Sequence, residues 1–390
     1  MGCSDSRHSS SPVFQKEEEE STTCSSITTS TSGSSSNLIR SSCNMQQQHQ
    51  LQHPRHHRPQ HRQQSSISGY CGNISSDEDD DITVFASSTP AAVFQDNLSL
   101  DALTDIQPLD HGGFCIVCSC TYNGVQRAVL KIPKPQGPNS AAADLLAEIA
   151  IYKRISERGG HPNIAAALGA GFTSRGEPFL VLERLEGGSL AGAIERSRTP
   201  GGDAADGGAW VDLVTRLPVA LELADALQYL HRDALPGFIL HRDLKPTNIG
   251  LCAEGHVKVF DFGLSVVQEV RRGSLNQKYQ MSGMAGSKRF MSPEVCKGLP
   301  YNEKVDVYSF AIVLWEICTL RKPFAGMSVA DHYREVITGG VRPPLDPRWP
   351  GALQHLLQAC WHEDPDRRPS ISEARDVLQQ FFLAGGGWDI

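Results

Sequence analysis

Three residue types suited to moving a phosphate sit inside one octapeptide. HRDLKPTN (His241 to Asn248) carries Asp243, Lys245 and Asn248, and Asp261 opens a DFG tripeptide after twelve further residues. A carboxylate at Asp243 can orient a hydroxyl and take its proton. Lys245 can neutralise a phosphoryl group as it moves. Asn248 and Asp261 offer hard oxygens of the kind that Mg2+ prefers. Phosphoryl transfer needs little covalent help from a protein, and is catalysed by positioning and charge stabilisation, which these groups supply. A lone DFG is an ordinary turn, so the octapeptide carries the weight.

Such residues act only if a scaffold brings them together. From about residue 100 the chain shows apolar periodicity. LDHGGFCIVCSCTYNGVQRAVLKI reads as strand, glycine turn, strand, tight turn at Asn123-Gly124, strand. SAAADLLAEIAIYKRISER reads as an amphipathic helix and PFLVLERL as a buried strand. Helical patterns dominate beyond 210, in LVTRLPVALELADALQYLHR, VDVYSFAIVLWEIC, ALQHLLQACW and SEARDVLQQFF. A polar, glycine-rich insertion, SRTPGGDAADGGA, separates two helices. A small β-rich part with one main helix thus precedes a larger helical part, an α+β architecture.

With these landmarks in order, the chain resembles the eukaryotic protein kinases over roughly residues 100–385. The catalytic loop HRDLKPTN and the metal loop DFG carry the likeness. So do AVLK, which puts Lys131 on a strand, and AEIAIYKRI, which puts its acidic partner Glu148 on a helix. HPNI, MSPE, DVYSF and DPDRRPS follow in sequence, and Arg368 would pair with Glu294. The resemblance implies a bilobal fold, with an N-lobe over about 100–185 and a C-lobe over about 186–385. It implies ATP and Mg2+ as cofactors, with Asp243, Lys245, Lys131 and Glu148 catalytic and Asn248 and Asp261 on the metal. Leu182 falls at the gatekeeper place. Glu183 to Leu185 would bond adenine through their backbone, and Leu109, Val117 and Ala128 would pack on its faces.

Lysine two residues past the aspartate resembles serine/threonine kinases, as does Ser287 in GSKRFMSPE. DVYSFAIVLWEIC and CWHEDPDRRPS resemble tyrosine kinases. That mixture is similar to the tyrosine-kinase-like group, whose members mostly phosphorylate serine and threonine. Arg242 stands where the family often holds an activation-loop phosphate, for which Ser274 and Ser282 are the candidates, with Ser287 beyond them. An upstream kinase or trans-autophosphorylation would supply it. The phosphate loop departs from the family: Asp110 and Cys115 replace its first and third glycines, while Gly112 and Gly113 remain. Weaker ATP binding is expected, since glycine admits close approach of backbone to phosphate. A pseudokinase scaffold is the alternative, but a scaffold would be free to lose the residues that are all retained here.

The remaining sequence bounds where such an enzyme works. The chain has 390 residues, a net charge of −8 and 11 cysteines without a regular framework. An acidic chain is no nucleic-acid binder by charge, and scattered thiols suit a reducing compartment. No apolar h-region of useful length occurs in the first thirty residues. Residues 1–95 are rich in serine, glutamine and histidine, carry a block of acid at Asp77–Asp81, and are expected to be disordered. The chain begins MGCSDS, which fits the N-myristoylation pattern at Gly2, with Cys3 beside it for palmitate. One myristoyl chain binds membranes only marginally, at about 10⁴ M⁻¹, so two chains would be needed. The tail's balance of six cations and ten acids adds no attraction to an anionic leaflet. Dual acylation would place the kinase peripherally on the cytoplasmic face of a membrane, on a tether of about 50 Å. A soluble cytosolic kinase is the alternative.

Overall fold

The computed structural model describes residues 93–110, 115–134, 140–198, 213–234, 237–269, 277–281 and 286–383. The tail to residue 92, with Gly2 and Cys3, lies outside them. So do Gly112 and Gly113, the insertion from 199 to 212, and Ser274 and Ser282.

Alternating side chains build the first part. β1 (Leu103–Asp110), β2 (Cys115–Tyr122) and β3 (Gln126–Pro133) pair antiparallel in sequence order. The β2–β3 turn uses Asn123 and Gly124 at φ 50° and 72°. Val125 N–H closes the turn on Tyr122 O, and two successive positive φ values at its centre match the twist of the flanking strands, which Asn-Gly adopts at low cost. After α1 (Ala141–Glu157), the strands β4 (Ala167–Phe172) and β5 (Pro178–Glu183) complete a five-stranded sheet in the order β1-β2-β3-β5-β4. One face of this sheet is sealed by Leu103, Cys120, Ala128, Leu130, Phe179 and Val181. Against the other face lies α1, whose Leu145, Glu148, Ile151, Tyr152 and Ile155 recur at helical spacing on its buried side.

Short strands and helices follow. β6 (Gly188–Ser189) leads into α2 (Leu190–Arg198) and α3 (Leu213–Gln228). β7 (Gly237–Leu240), β8 (Ile249–Leu251), β9 (Val257–Val259) and β10 (Val266–Glu269) form two small sheets, β6-β8-β9 and β10-β7. The helices α4 (Pro293–Cys296), α5 (Lys304–Thr319), α6 (Val329–His332), α7 (Gly351–Cys360) and α8 (Ile371–Leu383) finish the lobe. Every residue of α5 from Lys304 to Cys318 is buried. A helix covered all round belongs at the centre of a core, and α5 packs on α3 and α7 while α8 lies across α3. Among the described residues no helix is long and apolar enough to cross a membrane.

Candidate active site

The β8–β9 hairpin explains why Asn248 and Asp261 need twelve residues between them. Ile249 faces Val259 in its ladder, and Phe260 N–H donates to Asn248 O at 3.1 Å. The chain therefore returns beside its starting point, with Asp261 next in line. Asp261 adopts φ 67°, a left-handed conformation uncommon for a residue with a side chain. The turn sends Phe262 into the core, 1% exposed and edge-on to Tyr152 of α1 with ring centroids 4.9 Å apart.

Three elements then converge. Lys131 from β3 sits with its Nζ 2.7 Å from Glu148 Oε2 on α1 and 2.8 Å from Asp261 Oδ1. Burial opposes the lysine charge, but the two carboxylates outweigh it and raise its pKa. Burial likewise raises the Asp261 carboxyl, and the nearby Lys131 more than offsets this, holding it below the usual aspartate range. Glu148, 1% exposed, is pushed up by burial to about 7, with Lys131 opposing. The pairing of Lys131 with Glu148 that the resemblance implies is a direct contact.

The octapeptide forms a second cluster. Asn248 Nδ2 donates to Asp243 O at 2.9 Å and to Asp243 Oδ2 at 3.1 Å. Lys245 Nζ lies 3.0 Å from Asp243 Oδ2 and donates to Ser287 Oγ at 2.8 Å. Ser287 N–H donates to Asp243 Oδ1 at 2.7 Å. Ser287 therefore joins the Asp243 cluster, where its hydroxyl already accepts from Lys245. Gly286 before it stands at φ 107°, and a Cβ there would collide with Arg242 O. Arg242 itself takes φ 66° and stacks its guanidinium over Tyr301 at 5.9 Å. The two hydroxyls proposed to bring it a phosphate lie outside the described residues.

What holds this loop was not legible from the motif. Asp306, at the start of α5 and 0% exposed, accepts from His241 N–H and Arg242 N–H, each at 2.9 Å. His231 Nε2 lies 2.9 Å from Asp306 Oδ2, the oxygen that also accepts from His241 N–H. His231 is aimed there by a π-helical turn, Tyr229–Asp233, that widens the end of α3. Burial raises the Asp306 carboxyl, but the His231 hydrogen bond and nearby charges bring it below its ordinary value. It acts as an ionised bracket on the backbone just before Asp243. The available signal was a single acid opening a long apolar run, a residue type rarely buried unless paired.

The adenine-facing set needs one correction. Ala128 is 0% exposed and belongs to the sealed face with Leu130, away from Lys131. Side chains alternate along a strand, so Val129 shares the Lys131 face and Ala128 does not. Val117 lies directly opposite Lys131 in the β2–β3 ladder. Leu109 is 47% exposed, the extra residue between the Pro108–Cys118 and Asp110–Val117 pairs of a bulge. Glu183 ends β5 and Leu185 lies just beyond it, and the Glu183 side chain has work of its own. Its Oε1 accepts from Ala166 N–H at 2.7 Å and lies 3.0 Å from Lys258 Nζ. The Cys115 thiol is buried, and burial raises its pKa. It stays protonated and packs as a small residue.

The donor set suits Mg2+. The Asn248 amide nitrogen is committed to Asp243, which leaves its oxygen, and the ionised Asp261 keeps 38% of its side-chain surface accessible. Among the described residues no group of three or more His, Cys, Asp and Glu forms a dedicated cage. Two protein oxygens with phosphate and water completing the shell is a common Mg2+ arrangement at phosphate sites.

Comparison with known proteins agrees with this geometry. Residues 103–378 match the family described as protein tyrosine and serine/threonine kinase. A probable serine/threonine-protein kinase of Dictyostelium discoideum is 31% identical over 73% of this chain and 28% of its own length. The serine/threonine/tyrosine-protein kinase HT1 of Arabidopsis thaliana is 33% identical over 67% of this chain and 62% of its own. Mitogen-activated protein kinase kinase kinase 7 of Homo sapiens is 33% identical over 71% and 41%. The chain thus spans less than two thirds of the length of each of these relatives. The chain belongs to the protein tyrosine and serine/threonine kinase family, in its tyrosine-kinase-like group.

Proposed function

We propose that the chain transfers the γ-phosphoryl group of ATP to serine and threonine hydroxyls of proteins. The observation that carries this reading is the joint assembly of Lys131–Glu148–Asp261 and Asp243–Lys245–Asn248–Ser287. Lys131 would bind ATP phosphates, held in place by Glu148. Asp243 would orient the substrate hydroxyl and accept its proton, while Lys245 offsets charge on the transferred group. Asn248 and Asp261 would hold Mg2+, which when bound draws negative charge off the phosphates. Val117 and Val129, with the backbone from Glu183 to Leu185, would receive the adenine. A retained and hydrogen-bonded set of this kind speaks against the scaffold reading.

Serine and threonine are favoured by the Lys245–Ser287 contact beside Asp243 and by relatives named as serine/threonine kinases. Phosphoamino-acid analysis of a generic basic protein should show phosphoserine and phosphothreonine. Phosphotyrosine alone would overturn the assignment. Phosphorylation of Ser274 or Ser282 by an upstream kinase or in trans is the proposed switch, and relatives named as kinase kinase kinases fit a place in a cascade.

We also propose acylation at Gly2 and Cys3, and with it a peripheral position on the cytoplasmic face of a membrane. The MGCSDS pattern supports it. Metabolic labelling with a myristate analogue should mark the chain and not its Gly2→Ala variant, and a palmitate analogue should need Cys3. An unlabelled chain in cells that label other myristoylated proteins would leave a soluble kinase.

A further inference from the structure

The segment from Phe94 to Leu98 straddles the boundary that composition sets between tail and folded part, yet it is built into the sheet. Along the free edge of β4, Gln95 N–H donates to Leu168 O at 3.1 Å, Ala170 N–H to Gln95 O at 3.0 Å, and Leu98 N–H to Ala170 O at 2.8 Å. Gln95 pairs with Gly169 as a parallel bridge. Leu98, 3% exposed, enters the upper core with Leu103 and Phe179. Tyr122 OH adds a bond to Gln95 Oε1 at 2.7 Å.

β4 is shaped for this guest. A Cβ on Gly169 would stand 2.5 Å from Gln95 O, and its three nearest atoms all belong to Gln95. A Cβ on Gly171 would collide with Leu98 O and the Phe179 ring. Glycine in a strand otherwise weakens it, and often marks close approach of another backbone.

The same segment grips the far half of α1. Phe94 N–H donates to Ser156 Oγ at 3.3 Å, and Asp96 Oδ2 lies 2.6 Å from Lys153 Nζ. The Phe94 ring packs on the larger core, which α1 enters through Ile151, Tyr152 and Ile155. Lys153 is five residues past Glu148, about 7.5 Å along the helix axis. A rigid helix clamped there cannot swing Glu148 away from Lys131 without first breaking the clamp.

We propose that Phe94–Leu98 is a positioning strap that ties α1 to the edge of β4 and thereby holds Glu148 against Lys131, so that its release lowers phosphoryl transfer. Its residues touch no substrate and act through Glu148. The catalytic part of this inference rests on the kinase reading above.

The test uses the full chain and its Gly169→Ala variant, whose added methyl meets Gln95 of the strap first. Amide exchange of peptides covering 148–157 is expected to speed up by about tenfold, while α5 keeps its protection. The kcat/KM for ATP is expected to fall by about tenfold, chiefly in kcat. In a Glu148→Gln background the same methyl should cost little more, because both changes act through one contact. Unchanged exchange in α1, or losses that simply multiply, would overturn the strap. If Gly169→Ala also loosens α5, Phe94→Ala, which adds no atom, decides by the same readouts. If the parent chain transfers no phosphate, the kinase reading fails, and α1 exchange alone still decides whether the strap holds the helix.

Discussion

Replacing Lys131 by methionine is expected to lower kcat by about 10²–10³-fold, the scale set by removing one preorganised charge from a transition state. The methionine keeps the length and apolar stem but removes both contacts, at 2.7 Å to Glu148 and 2.8 Å to Asp261. Two carboxylates then face each other without a cation. Burial already raises Glu148, so it takes a proton instead of remaining charged. Asp261 loses the cation that holds it. Most of the loss should therefore appear in kcat, with a smaller rise in KM for ATP. Steady-state kinetics on the purified variant measure both. Activity within a factor of about two of the parent would show that this constellation is not the catalytic one.

The second large effect is on stability, at a site remote from the reaction. Arg368, 2% exposed, satisfies all five guanidinium hydrogens. Two go to Glu294 at 2.5 and 2.9 Å, and the others to His362 O at 2.7 Å, Lys304 O at 3.0 Å and Glu363 O at 3.3 Å. Its guanidinium also lies over the Tyr308 ring at 5.2 Å. Arg368→Ala strips these partners at once and leaves Glu294 buried without a cation. A loss of about 3–5 kcal/mol is expected, the range for breaking one side of a buried ion pair. The joint replacement Arg368→Met with Glu294→Leu should cost less than Arg368→Ala, because it leaves no uncompensated charge. Urea midpoints of the two variants measure this. A single variant as stable as the parent would mean that the pair is not what joins α4 to the loop before α8.

Local pattern made most of the scaffold legible. Asn123-Gly124 announced its hairpin because few other dipeptides accept two positive φ values. The candidate site was legible because HRDLKPTN and DFG carry their residues within short spans. The Lys131–Glu148 and Arg368–Glu294 pairs, far apart in sequence, were inferred by resemblance and are direct contacts. The failures have two sources, a strand alternation not applied and partners that lie far away in the sequence. Ala128 was placed on the adenine face, although strand alternation from Lys131 selects Val129. Asp306 lies more than sixty residues from the backbone it brackets, and no local pattern links them. The Phe94–Leu98 strap has too few apolar residues to register as an element. It is ordered by the edge of β4 and by two glycines whose purpose shows only in three dimensions.

The central claim is that Asp243 sits in an assembled phosphoryl-transfer site. The direct measurement is incubation of the purified chain and its Asp243→Asn variant with labelled ATP, Mg2+ and a generic basic protein. Asparagine preserves the shape of the cluster around Lys245, Asn248 and Ser287 but cannot accept the proton. Label on serine and threonine from the parent chain, reduced by about 10²–10⁴-fold in the variant, is the predicted result. Equal transfer by both proteins, or none by either after treatment with an upstream kinase, would contradict it.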